Sequence, residues 1–146
     1  MKEKILIELS YDWFERMWSI PEFGLVDKIV DAEYCPNWIY MDEKGPELVK
    51  HEIKYFRSIF PDLKFKVTDI INQDEKVWLR YKANGTQKGS FWGFKPTNKF
   101  IEFEGVAILH FNDRNQVIDL WESYCFYDIL EKLKLVPPFS ELHEYL

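Results

Sequence analysis

The sequence contains few cysteines and no long apolar run. Cys35 and Cys125 are its only two cysteines, and neither has a neighbour at the spacing of a metal site. Two isolated thiols are typical of a reduced cytoplasmic protein. No apolar run is long enough to span a bilayer, and the N-terminal segment is too short and too acidic for a signal peptide. We therefore expect a cytoplasmic protein with no membrane partner.

The sequence also lacks an excess of positive charge and a phosphate-binding loop. The net charge is −6, whereas a nucleic-acid partner requires concentrated lysine and arginine. The segment 85–89 has two glycines but lies between predicted strands, so it does not open a helix as a phosphate loop would. The three histidines are scattered, and no serine or cysteine has the context of a nucleophile. We predict no nucleic-acid partner, no metal and no cofactor.

Aromatic residues are abundant, with 12 Phe, 8 Tyr and 6 Trp. The chain shows no repeat, no low-complexity tract and no flexible linker, which predicts a single domain over residues 1–146. The aromatic content exceeds what a minimal core needs. Two explanations remain open, an unusually aromatic core or rings that line a cavity or an interface.

The first third of the sequence is predicted to be helical. Apolar residues recur at helical spacing in a first segment that Pro21 ends: Leu6, Leu9, Trp13, Met17 and Ile20. A short second helix is predicted over 23–30 and a loop over 34–45. Pro46 suits the first turn of a third helix, which carries one apolar stripe and ends before Pro61.

The period of the apolar residues changes to two from Leu63 onward. Alternation predicts strands near 63–69, 77–83, 101–111 and 117–124, with a turn at 112–115 and a last helix over 127–133. Helices that precede antiparallel strands predict an α+β fold, in which the helices pack on one face of a curved sheet.

Glu122 lies on an apolar strand face. The period of two places it on the same face as Ile118, Leu120 and Tyr124. A carboxylate on such a face loses hydration, so its pKa rises from about 4.3 toward neutrality. Such a group can take up and release protons at physiological pH. The alternatives are a buried carboxylate that is simply satisfied by a hydrogen bond or an ion pair, and one that reaches solvent at the end of the strand.

Several motifs resemble those of the SnoaL-like polyketide cyclase (ester cyclase) family, within the NTF2-like superfamily. The segment Gly45-Pro46-Glu47-Leu48-Val49 is similar to the GPE-x-V motif of that family, and Phe60 to Phe65 to its F-P-D-L-x-F motif. The segment 85–97 is similar to a G-T-H-x-G-x-F hairpin, and Trp121-Glu122 to a W-D strand that precedes a closing helix and two prolines. The resemblance extends from about Asp12 to Pro138.

The resemblance implies an NTF2-like cone, in which N-terminal helices close over a strongly curved antiparallel sheet and enclose an apolar cavity. It also implies a homodimer formed through the outer sheet face, where alternation places Trp78 and Val106. In the family, a strand carboxylate at the W-D position is the acid and base of an intramolecular aldol reaction without metal or cofactor. Glu122 occupies that position here.

Histidines that are common in the family are replaced at three positions, by Asn37, Gln87 and Leu120. Ala107, on the adjacent strand, supplies no polar partner for Glu122. We predict that Tyr124, Asn37 and Gln87 place a substrate. Three aromatic residues are further candidates, each of which could contact a ligand or merely anchor its loop: Trp38, Tyr40 and Trp92.

Three classes of function follow. The first is a cofactor-independent cyclase, isomerase or hydrolase-like enzyme that uses Glu122 on a small apolar molecule with a ketone or an ester. The second is a non-catalytic protein that binds a small apolar ligand. The third is a dimerisation module whose cavity is filled by its own aromatic side chains. The fold alone does not separate them.

Overall fold

The computed structural model describes residues 1–36 and 42–146. On the N-terminal side it contains helix α1 (Lys2–Tyr11), a π-helical segment (Asp12–Trp18), α2 (Phe23–Ile29) and α3 (Pro46–Ile59). Four strands follow, β1 (Lys64–Gln73), β2 (Lys76–Thr86), β3 (Phe100–Phe111) and β4 (Val117–Tyr124). The chain continues with α4 (Phe126–Lys132) and a 3₁₀ segment (Phe139–Tyr145).

The strands form one antiparallel sheet in the order β1-β2-β3-β4, so each strand pairs with its sequence neighbour. The α+β fold class predicted from the sequence is confirmed. Strand β2 shows the predicted alternation most clearly, because Val77, Leu79, Tyr81 and Ala83 are buried and the residues between them are exposed. The inner face of the sheet therefore packs against the helices.

A bulge in β1 interrupts the alternation predicted for that strand. Val67 pairs with Tyr81, but the next pair is Asp69 with Arg80, so Thr68 is an additional residue. Beyond it Asp69 is exposed and Ile70 packs against the core, whereas an unbroken period of two from Leu63 would place Asp69 on the inner side. A second register shift follows His110 in the β3–β4 pair. Bulges bend the strands that carry them, in keeping with a curved sheet.

The first predicted helix is divided in two. After α1 the backbone continues as the π-helical segment, in which residues five apart become neighbours. Trp13 and Trp18 are separated by five positions, and both line the cavity described below. The sequence pattern predicted one continuous helix up to Pro21, because Leu9, Trp13 and Met17 fit a regular helical period equally well.

Gly45 determines how α3 begins. Its φ is +72°, and a Cβ there would lie 2.6 Å from the carbonyl oxygen of Ala32. Its N–H donates to the carbonyl oxygen of Tyr34 at 2.7 Å. Pro46 then occupies the first helical turn, as predicted. Only glycine combines this left-handed φ with so close an approach, so the Gly-Pro pair fixes α3 relative to Tyr34.

The buried residues form two clusters. The larger lies between the N-terminal helices and the inner sheet face. The smaller surrounds Phe60, Phe91 and Ile101 and is closed by Ile129 and Leu133, which belong to α4 and the residue after it. None of the described helices is long and apolar enough to cross a membrane.

Candidate functional site

A cavity of about 280 Å³ lies where the two clusters meet. Every layer of the fold contributes side chains to its wall, and most of them are aromatic or aliphatic. The lining residues are Trp13, Phe14, Trp18, Tyr34, Val49, Glu52, Phe56, Phe60, Leu63, Phe65, Tyr81, Phe91, Phe103, Leu120, Glu122, Tyr124 and Ile129.

Aromatic rings form a continuous part of this wall. Phe65 is at its centre, with its ring centroid 5.0 Å from Tyr81, 5.5 Å from Phe14 and 5.9 Å from Trp18. Phe14 stacks on Tyr81 at 5.1 Å. Rings in mutual contact hold one another in place, so the wall keeps its shape and gives the cavity an environment of low polarity.

Glu122 reaches this cavity from β4, together with Leu120 and Tyr124 on the same strand face. Its side chain is partly buried, and its Oε2 accepts a hydrogen bond from the Tyr81 hydroxyl. Burial raises the pKa of Glu122 from 4.5 to about 7, while the hydrogen bond from Tyr81 acts in the opposite direction. A carboxyl group with this pKa changes its protonation near neutral pH.

Small residues on β3 allow Tyr81 to reach Glu122. In the sheet Gly105 lies opposite Tyr81, and Ala107 lies opposite Glu122. A Cβ at position 105 would be only 2.3 Å from the Tyr81 hydroxyl oxygen. The phenol of Tyr81 therefore extends over the glycine to the strand beyond. Ala107 has no polar group to offer Glu122, and Tyr81 on β2 supplies the hydrogen bond instead.

Glu52 is a second carboxyl group on the cavity wall, contributed by α3. Burial, together with the negative charge of Glu122, raises its pKa from 4.5 to about 8. It was not predicted from the sequence. The available signal was its spacing, because Glu52 is four residues after Leu48 and four before Phe56, on the apolar stripe of α3.

Three phenols add hydroxyl groups to the described part of the cavity wall, those of Tyr34, Tyr81 and Tyr124. Burial raises the pKa of each one, to about 12 for Tyr124. The charges of Glu122 and Glu52 act in the same direction on Tyr34 and Tyr124. These hydroxyls therefore stay protonated and can donate hydrogen bonds. Tyr81 was also overlooked, although a tyrosine on an inner strand face needs a partner for its hydroxyl.

Gln87 has a different role from the one predicted. Its side chain is fully buried, and its amide nitrogen donates to the carbonyl oxygens of Gly89 and Lys95 at 3.2 and 3.3 Å. Its amide oxygen accepts hydrogen bonds from the N–H and hydroxyl of Thr97. Gln87 therefore stabilises the loop after β2, and its polar atoms are not available to a substrate.

The other predicted contacts divide into three groups. Tyr124 lines the cavity, as its place on the Glu122 face predicts. Trp92 is 66% exposed, with its ring 4.9 Å from Phe126, and is not among the described residues of the cavity wall. Exposure of the ring and its packing against α4 favour the anchoring role. Asn37, Trp38 and Tyr40 lie outside the described residues.

The charge of the described cavity wall is negative or neutral. Glu52 and Glu122 belong to it, and no lysine, arginine or histidine does among the described residues. Within residues 1–36 and 42–146, no group of three or more histidine, cysteine, aspartate or glutamate side chains is placed to hold a metal ion. The chemistry that these residues can offer is proton transfer by carboxyl groups in an apolar setting.

The helices and the curved antiparallel sheet form an NTF2-like α+β fold, and a family model identifies the family. The chain belongs to the SnoaL-like polyketide cyclase family, whose model matches residues 8–133. No curated protein matches the sequence.

Solved structures agree on the fold. TsrD from Streptomyces laurentii aligns with a TM-score of 0.78 at 17% identity, over 91% of this chain and 95% of TsrD. AclR from Streptomyces galilaeus aligns with a TM-score of 0.70 at 23% identity, over 99% of this chain and 89% of AclR. A SnoaL-like polyketide cyclase from Agrobacterium tumefaciens strain C58 aligns with a TM-score of 0.72 at 17% identity, over 88% of this chain and 97% of the cyclase. At these identities the likeness concerns the fold alone.

Proposed function

We propose that the protein is a cofactor-independent enzyme that cyclises or isomerises a small, mainly apolar molecule with a ketone or an ester group. Glu122 is its acid and base. The observation that carries this proposal is a carboxyl group with a pKa of about 7 on the wall of an aromatic cavity, where a phenol donates to it. Such a group removes a proton from carbon and returns it without a metal.

The composition of the wall favours catalysis over simple binding. A protein that only binds an apolar ligand needs an apolar cavity, and two carboxyl groups with raised pKa values weaken such binding when they ionise. The cavity contains both Glu52 and Glu122. A module that only dimerises would fill this space with its own side chains, and about 280 Å³ remains open between the described side chains.

The proposal predicts proton abstraction from carbon by the unmodified protein. We expect it to accelerate the ring opening of 5-nitrobenzisoxazole, which requires a single base and produces a coloured phenolate. The rate should rise with pH and level off above the pKa of Glu122, about 7, because only the ionised carboxylate is a base. If the protein did not accelerate ring opening at pH 8, at probe concentrations that saturate it, the proposed function would be contradicted.

The outer sheet face supports a second proposal, a homodimer. One apolar row crosses all four strands, because Ile71 pairs with Trp78, Trp78 with Ile108, and Ile108 with Trp121. Trp78 is 43% exposed and Trp121 54%, and the predicted outward position of Val106 agrees with its exposure. Contiguous exposed apolar side chains of this kind mark interaction surfaces. We propose that a second copy of the chain covers this row.

Replacing Trp121 by lysine is expected to weaken the dimer at least about tenfold, because a buried interface tryptophan contributes on the order of 2 kcal/mol or more. Sedimentation velocity over a concentration series measures the change. Tyr145→Lys is the matched control, since Tyr145 is 70% exposed and lies outside the row. A monomeric unmodified protein, or a Trp121→Lys variant that dimerises as strongly as the control, would refute the interface.

A further inference from the structure

We propose that Glu52 is a second catalytic carboxyl group, which donates a proton to the carbonyl oxygen of a substrate while Glu122 removes a proton from the adjacent carbon. The two glutamates thus form a pair that converts a ketone into its enol. This inference rests on the proposed function of Glu122 and extends it by naming the substrate class, ketones with an acidic α-hydrogen.

The placement of the two carboxyl groups supports such a pair. Glu52 comes from α3 in the helical layer and Glu122 from β4 in the sheet, and both line the same cavity. A ligand held between the helices and the sheet therefore meets one carboxyl group on each wall. This arrangement suits enol formation, because one group takes a proton from carbon while the other gives a different proton to the carbonyl oxygen.

The hydrogen bonds distinguish the roles of the two groups. Tyr81 donates to Glu122, and a donated hydrogen bond stabilises the ionised form of a carboxyl group. Among the described residues none donates a hydrogen bond to Glu52. Glu122 therefore loses its proton first and is the base, and Glu52 keeps its proton and is the acid. The negative charge of Glu122 raises the pKa of Glu52 further, which acts in the same direction.

The surrounding groups leave this order unchanged. The other titratable side chains on the described cavity wall are the phenols of Tyr34, Tyr81 and Tyr124, which remain neutral because their pKa values are raised. No described cation lines the cavity to draw the proton from Glu52. Between the two pKa values the pair holds one proton, and repulsion between the carboxylates opposes loss of the second.

The reaction step balances without a further reactant. The Glu122 carboxylate takes the α-hydrogen as a proton, and the electron pair of the broken C–H bond becomes the new C=C bond. The electron pair of the carbonyl π bond takes the proton from the Glu52 carboxyl group, whose O–H bond breaks. Return of the proton to the opposite face of the same carbon epimerises the ketone. In ring closure the enol carbon attacks an internal carbonyl carbon, the enol O–H proton returns to the Glu52 carboxylate, and the electron pair of the attacked C=O π bond takes the proton from Glu122.

Two probes separate this inference from the proposed function. Ring opening of 5-nitrobenzisoxazole needs a base, and exchange of the α-hydrogens of 2-tetralone in D₂O, followed by NMR, needs both groups. We expect exchange by the unmodified protein to show a bell-shaped pH profile, which rises with a pKa of about 7 and falls with one of about 8. Glu52→Gln should slow exchange by about 10²-fold and remove the falling limb, yet it should keep most of the ring-opening activity.

Glu47→Gln is the control, since it removes an exposed carboxylate from the same helix and should leave both rates unchanged. A second measurement uses Glu122→Gln, in which the infrared band of the protonated Glu52 carboxyl should titrate at a lower pH than in the unmodified protein. The proposal is overturned if Glu52→Gln exchanges 2-tetralone as fast as the control, or if the unmodified protein exchanges it no faster than buffer. It is equally overturned if Glu52→Gln abolishes ring opening, since Glu52 would then be the base.

Discussion

Replacement of Glu122 by glutamine is expected to reduce the rate of 5-nitrobenzisoxazole ring opening by about 10²- to 10⁴-fold, the usual contribution of a positioned base. Glutamine keeps the size of the side chain and accepts the hydrogen bond from Tyr81, but an amide does not take a proton from carbon at neutral pH. Binding of the probe should change little, because the aromatic wall is intact. Initial rates over a range of probe concentrations separate the two effects.

Two further variants show whether the effect is specific to Glu122. Asp119→Asn removes an exposed carboxylate from the same strand and should leave the rate unchanged. Tyr81→Phe removes the donor that lowers the pKa of Glu122, so the pH profile should shift to higher pH. If Glu122→Gln retained the rate of Asp119→Asn, another residue would be the base.

The free energy of unfolding is expected to fall by a few kcal/mol between pH 5 and pH 9. The pKa values of Glu52 and Glu122 rise from 4.5 in the unfolded chain to about 8 and about 7 in the folded protein. Between these values the folded state binds more protons than the unfolded state, so the free energy of unfolding decreases as pH rises. Each unit of pKa difference corresponds to about 1.4 kcal/mol.

The decrease should start near pH 4.5 and level off above pH 8, where both groups are ionised in both states. Below that window the trend reverses, since Asp31 and Asp62 have lowered pKa values and lose their stabilising effect when they are protonated. Melting temperatures at pH 6 and pH 9 should differ by about 10 °C. The double variant Glu52→Gln/Glu122→Gln should largely remove this difference, whereas Glu47→Gln should preserve it. If the unmodified protein melted at the same temperature at pH 6 and at pH 9, the two carboxyl groups would not be buried together.

The motifs that revealed the family are mainly structural. Asp62, in the F-P-D-L motif, accepts hydrogen bonds from the N–H and hydroxyl of Thr86, in the hairpin motif, at 2.6 and 2.7 Å. Gly45 allows α3 to start beside Ala32. Each motif thus describes a local backbone geometry that few residue types can adopt. The α+β class and most element boundaries were predicted from another signal, the periods of the apolar residues and the prolines and turns between them.

The candidate site was predicted only in part. Alternation on one strand isolated Glu122 and Tyr124, since strand period fixes which side chains share a face. Glu52 and Tyr81 come from other elements, and a pattern within one element does not report which residues of another element lie opposite it. Gln87 was included in the predicted site because its position in a family motif suggested a ligand contact. In the structure its side-chain hydrogen bonds are made within the loop after β2.

The bulge in β1 and the π-helical segment were not predicted, for a related reason. Both insert one residue into a regular pattern, and the apolar residues on each side still match the regular period. Tertiary contacts decide between the alternatives. Trp18, for example, packs 5.9 Å from both Phe56 and Phe65, which belong to α3 and β1. Such contacts between distant segments are not encoded in a local sequence window.

The close approach of Tyr81 to Gly105 has a consequence for engineering and for natural variation. The phenol occupies the space that any side chain at position 105 would need, so the two positions cannot change independently. A substitution at 105 becomes tolerable only after position 81 has shortened, and the shorter residue no longer reaches Glu122. Any lineage or library that alters this glycine must therefore find a new way to hold the Glu122 carboxyl group in place.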